Sequence, residues 1–140
     1  MTATQTNAPQ KRKRTASQHF KGTIDGADFT ANVFEIKRND GRWTITGSKT
    51  YSDGVKHRLS LTFPDTYVVG LYKLQDHPDI RLTYSTDSLT DPILRYGAHG
   101  IIDLLTVDPS NTHVSGALAD IVTRDDGNPI STISALFSLG

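Results

Sequence analysis

Five histidines (His19, His57, His77, His99 and His113), fourteen aspartates and one glutamate, Glu35, are the side chains with which this chain could do acid–base or metal chemistry. Their spacing is not that of a zinc site. No two histidines stand four apart on a helical pattern, and the absence of cysteine removes thiolate ligands, disulfides and a Cys nucleophile together. Asp76-His77-Pro78-Asp79 puts two carboxylates and an imidazole in one loop, an oxygen-rich arrangement that suits a hard cation. Asp125-Asp126-Gly127-Asn128 resembles half a calcium loop, without the alternating ligand order or the distal Glu. Both are accounted for as tight turns, so neither a metal nor a cofactor is expected.

Nucleophilic catalysis needs Ser, His and a carboxylate brought together, and no G-x-S-x-G elbow marks such a place. Carboxylate-pair hydrolysis needs one acid kept protonated by apolar surroundings. Only Asp103, within Ile101-Ile102-Asp103-Leu104-Leu105, and Asp120, within Ala119-Asp120-Ile121, lie in apolar runs. An enzyme site would therefore centre on Asp103 and the nearby His99, although an outward-facing strand charge is the better account of Asp103. Among the aromatics, Trp43, Tyr51, Tyr67, Tyr72, Tyr84 and Tyr96 could line a ligand site, since Tyr and Trp offer large area and a polar tip at small entropic cost, although each is also an ordinary strand residue. Tyr51 and Tyr67 stand out because they fall beside expected turns. The candidate ligand-binding set is thus Tyr51, Tyr67, Trp43, Asp103 and His99.

The elements that must position these groups are strands. From Phe20 onward, short apolar or alternating runs are separated by turn residues about every ten positions, which is the pattern of a sandwich or barrel. Asp25-Gly26 ends a first strand, and Asn39-Asp40-Gly41 joins a run from Phe29 to Lys37 to a return strand, Arg42 to Thr46. Alternation puts Trp43 with Ile45 on one face, as it does Leu59, Leu61 and Phe63, then Ile80, Leu82 and Tyr84. Gly70 to Leu74 and Ile80 to Ser85 read as two strands joined across Gln75–Asp79. Gly97 and Gly100 predict a bend or bulge before Ile101 to Val107. The last hairpin should pair His113–Thr123 with Ile130–Leu139. There Ile133, Ala135, Phe137 and Leu139 face inward, against a row containing Val114, Leu118 and Val122. The total is nine or ten strands, mostly antiparallel because the connections are too short for parallel crossovers.

Composition agrees. Ser and Thr number 29 against the lone Glu, which favours turns and strands over helices. Leu, Ile, Val and Phe number 34 of 140, enough for one packed core. The formal net charge of zero hides an asymmetry: residues 1–19 hold Lys11, Arg12, Lys13 and Arg14 with no acid, while residues 20–140 carry 11 basic and 15 acidic side chains. Residues 1–19 contain no Leu, Ile, Val or Phe and are expected to be a disordered basic tail, with 20–140 as one domain. Lys11–Arg14 suit a salt-sensitive contact with nucleic acid or an anionic surface, whereas the acidic body does not. No run is long enough to span a membrane and no apolar leader opens the chain, so a cytoplasmic protein is expected.

Gly22-Thr23-Ile24-Asp25-Gly26 with Phe29 and Ala31, Gly70-Leu71-Tyr72-Lys73-Leu74, Tyr96, Gly100-Ile101-Ile102-Asp103-Leu104, Ser115-Gly116-Ala117-Leu118 and Phe137 form an order of turn glycines and strand aromatics. Over residues 20–140 it resembles a group of uncharacterised small bacterial β-sandwich or β-barrel domains. Members of that group often look like exported lipoproteins, a feature this chain lacks, and the resemblance implies no catalytic residues. The expected function is a non-catalytic binding or interaction module for a protein or small ligand, with exposed edge strands suited to a homodimer. The alternatives are a barrel carrying a small apolar ligand, or an enzyme with its site near Asp103 and His99.

Overall fold

The computed structural model describes residues 18–124 and 129–140; the basic cluster Lys11–Arg14 and residues 125–128, where the sequence leads one to expect a tight turn, lie outside the described residues. Ten antiparallel strands occur among them, in one sheet curled into a half-barrel. They are β1 (His19–Ile24), β2 (Ala27–Thr30), β3 (Val33–Asn39), β4 (Arg42–Thr50), β5 (Lys56–Pro64), β6 (Gly70–Lys73), β7 (Arg81–Thr86), β8 (Ile93–Asp108), β9 (His113–Thr123) and β10 (Thr132–Leu139). The order across the sheet is β2-β1-β10-β9-β8-β7-β5-β4-β3, with β6 paired to β8 off this path. Among the described residues no helix is long and apolar enough to cross a membrane.

The Asp-Gly dipeptides at 25–26 and 40–41 make the two-residue turns expected of them. Asp25 and Gly26 have φ of 53° and 80°, and Asp40 and Gly41 have 55° and 76°, the left-handed pair of a type I′ hairpin. A Cβ at Gly41 would come no nearer than 4.0 Å to Asp65, so space is open there and only backbone strain opposes a larger residue. Gly41→Val should therefore cost about 1–2 kcal/mol in urea unfolding, because a β-branched residue is strained at positive φ. An unchanged midpoint would show that the turn can relax to negative φ.

Several expectations are corrected. The run Phe29–Lys37 is two strands: the chain leaves β2 at Ala31-Asn32 and crosses to the opposite edge of the sheet, where β3 pairs with β4. Gly70–Lys73 does not pair with β7; it pairs with β8 at Ile101–Leu104, and a single 3-10 turn, Leu74–Asp76, fills the connection. Strand β1 opens at His19, inside the segment assigned to the tail, and Gln18 accepts a hydrogen bond from the Gly140 N–H at 2.9 Å. The two runs 93–96 and 101–107 are parts of one 16-residue strand, β8. Its first residues pair with β7 and its remainder with β9, and the register shifts around Gly100, whose φ is 127°, let one strand serve both walls.

The inward rows follow the alternation. Trp43, Ile45, Leu59, Leu61, Phe63 and Leu82 from one wall meet Phe20, Ile102, Leu104, Leu118 and Phe137 from the other, all essentially removed from water. On β10, Ile133, Ala135, Phe137 and Leu139 are buried as expected. On β9 the expectation holds for Val114 and Leu118 and fails at Val122, because Asp120 forms a bulge with φ of 51° and Ile121 and Thr123 turn inward instead. The reason is the carboxylate. Continued alternation would aim Asp120 into the core, whereas the extra residue leaves it exposed, with its N–H donating to Ser134 Oγ at 3.0 Å.

Candidate functional site

One inward row changes character at the end of the half-barrel. Along β5 the sequence Phe63, Leu61, Leu59 continues on the same face to His57, which is half-buried, and Tyr84 of β7 stands beside Leu59. His57 Nδ1 and Tyr84 Oη share a hydrogen bond at 2.8 Å. Tyr51, just past the end of β4, meets the His57 imidazole edge-on with ring centres 4.5 Å apart. Its own position is held by a tight turn, since the Tyr51 N–H donates to the Val55 carbonyl and the Gly54 N–H to the Tyr51 carbonyl. The Tyr51 hydroxyl donates to the Asp28 carbonyl at 3.1 Å, tying the turn after β4 to β2.

These three rings line a groove of about 320 Å³ that also receives Asp25, Asp28 and Asp53. Asp25 lies 3.9 Å from the Arg95 guanidinium and accepts from the Thr132 N–H, so part of its charge is balanced. Burial, with the Asp28 carboxylate second, pushes the Tyr51 phenol up from its ordinary value. Burial does the same for Tyr84, with Arg95 opposing and Asp25 and Tyr51 reinforcing. Both phenols thus stay protonated at neutral pH, and they offer ring faces and neutral hydroxyls rather than nucleophilic oxygens.

Tyr67 belongs to a second cluster. Its ring lies 4.9 Å from Tyr72 and 5.8 Å from His77, and its hydroxyl donates to Asp79 Oδ1 at 2.6 Å with His77 Nδ1 at 3.2 Å. The imidazole and one carboxylate of the Asp76–Asp79 loop are thereby engaged by a phenol. Arg42 reinforces the loop by donating to the Asp79 carbonyl at 2.7 Å. Loss of water contact and the Asp79 carboxylate push the Tyr67 phenol up to about 12. The cluster therefore acts as a latch that fastens the segment after β5 onto the end of the core.

The remaining candidates do not join either cluster. Trp43 is wholly buried in the core, where its indole N–H finds no hydrogen-bond partner among the described residues, and it presents no surface to solvent. This corrects its assignment as a contact residue: its share of the β4 inward row decides its place. Asp103 sits half-buried on the outer face of β8, between Leu71 of β6 and Ala117 of β9. His99 is exposed on the same strand, roughly 13 Å away at about 3.3 Å per residue, with the Gly100 bulge between them. The two do not converge on one reacting atom.

A larger groove, about 710 Å³, crosses the outer face of β2, β1, β10 and β9 beside Gly22, Ala117, Ala119 and Leu136. It offers apolar area, but among the described residues no aromatic or imidazole group lines it, so it gives a ligand little direction. The groove at Tyr51 is smaller and better equipped. Tyr84 is one of the six candidate aromatics but not in the chosen set, and His57 is not in that set either, although the alternation that buries Leu59, Leu61 and Phe63 puts His57 on the same row. Compared with known proteins, the chain matches no family model, no curated protein and no solved structure.

Proposed function

We propose that this domain is a non-catalytic binding module that takes a small cationic group, of the kind carried by an alkylammonium ligand, in the groove at Tyr51, His57 and Tyr84. The observation that carries the reading is the meeting of aromatic rings with Asp25, Asp28 and Asp53 in a groove that, among the described residues, no Lys or Arg lines. Ring faces attract a cation through their quadrupole, and carboxylates at the rim add attraction while leaving the choice of cation to shape. Phenols kept protonated preserve that surface across the neutral range. The packing of Trp43, Phe20, Phe63 and Phe137 inside the half-barrel favours this reading over a carrier of apolar ligands in the interior.

Titration with tetramethylammonium chloride, followed by amide chemical shifts, should move the resonances of Tyr51, Asp53 and His57 saturably. Sodium acetate should not. Tyr51→Ala should weaken the binding roughly tenfold, the order expected for losing one partly desolvated cation–ring contact, while Tyr51→Phe should retain most of it. Equal response to acetate, or shifts confined to Ala117 and Ala119 of the outer groove, would overturn the reading.

A further inference from the structure

We propose that two copies of this chain pair antiparallel through β3, about a two-fold axis at Ile36, joining their half-barrels edge to edge. Among the described residues, strand β3 ends the sheet and pairs its backbone only with β4, leaving the other edge of seven residues without a partner strand. The opposite edge, β2, has four residues. Val33 is 58% exposed, and Glu35 and Lys37 lie half in solvent, joined by an ion pair of 3.4 Å within the strand.

The backbone restricts the registers available. In an antiparallel ladder, opposed residues either both direct N–H and C=O toward the partner strand or both direct them away. These directions alternate along β3, so a residue can oppose only itself or one an even number of positions away. A symmetric pair must therefore centre on a residue. Centring on Glu35 sets two like carboxylates opposite each other, and centring on Lys37 does the same with two ammonium groups, both unfavourable at the short distance between opposed side chains. Centring on Phe34 shortens the ladder and places Val33 against Glu35. Centring on Ile36 sets each Glu35 opposite the other copy's Lys37, Phe34 opposite Arg38 and Val33 opposite Asn39, using the whole strand. Arg38 keeps its 3.1 Å bond to Asp65 in that arrangement, because the bond lies within one copy. The charges that would keep an unlike strand away are thus complementary to those of the same strand reversed.

Sedimentation equilibrium of the full chain over rising concentration should show a reversible monomer–dimer equilibrium, weak enough to be concentration-dependent because a single-strand interface is small. Glu35→Lys and Lys37→Glu should each weaken the dimer at least tenfold when measured alone. An equimolar mixture of the two variants should associate again, as should the double exchange Glu35→Lys with Lys37→Glu. Circular dichroism and thermal midpoints near those of the parent would establish that both half-exposed substitutions leave the fold intact. A monomer at every concentration would overturn the proposal, and so would a dimer indifferent to the single charge reversals.

Discussion

Phe137→Ala should lower the free energy of unfolding by about 3–5 kcal/mol, a large share of the roughly 5–15 kcal/mol available to a domain of this size. The ring lies 1% exposed on the inward row of β10, between Phe20 of β1 and Gly116 of β9. Its centre is 5.5 Å from that of Phe20, and its Cζ lies only 3.0 Å from where a Cβ on Gly116 would stand. The missing side chain at Gly116 thus provides the ring's place. Phe20 and Gly116 belong to strands held in the ladder by backbone bonds, so neither can move in to fill the space, and truncation leaves a cavity. Chemical denaturation of the purified variant measures the loss, with Ser138→Ala on the outward row as the comparison, expected to stay within about 0.5 kcal/mol. Equal effects from the two substitutions would show that the register of β10 is off by one residue, which would reverse its faces.

Gly22→Ala should destabilise by about 3 kcal/mol or more, at the upper end of what an inserted methyl costs in a packed structure. Gly22 sits in the middle of β1, opposite Ala135 of β10 and Phe29 of β2. A Cβ there would come within 1.9 Å of the Ser134 carbonyl oxygen and 2.5 Å of the Ala135 Cα. These are main-chain atoms, so no rotamer change relieves the contact, and β1 must move away from β10. Urea unfolding gives the size of the loss, and hydrogen exchange locates it: amide protection should fall along β1 and β2 first, because β2 is held through β1. Thr23→Ala, one position along, should change stability by less than about 0.5 kcal/mol. A Gly22→Ala variant of parental stability and protection would mean that β1 and β10 approach less closely than described.

Much of the strand pattern was legible in the sequence, because it rests on local rules. Alternation at period two placed Trp43 with Ile45 and Ile133 with Phe137 on buried faces, and Asp-Gly dipeptides marked the two hairpins whose positive φ they tolerate. The same rules misplaced Val122, since nothing in Ala119-Asp120-Ile121 announces that the chain will insert a bulge to keep a carboxylate out of the core. The candidate groove was half legible. Tyr51 could be chosen as an aromatic beside a turn, but His57 and Tyr84 could not be joined to it without knowing that β5 and β7 are neighbours and that both rows end at the same mouth.

The amino-acid sequence by itself determined an all-β chain, which side of most strands faces inward, and where the tight turns fall. Tertiary structure alone decided that β6 pairs with β8 rather than with β7, that β8 spans both walls, and that Trp43 belongs to the core while Tyr51 opens onto a groove. The physical reason is range. Side-chain alternation and turn conformation are set within a few residues, whereas strand partnership, burial and the meeting of rings at one site depend on groups far apart in sequence, each free to choose only once the others are placed.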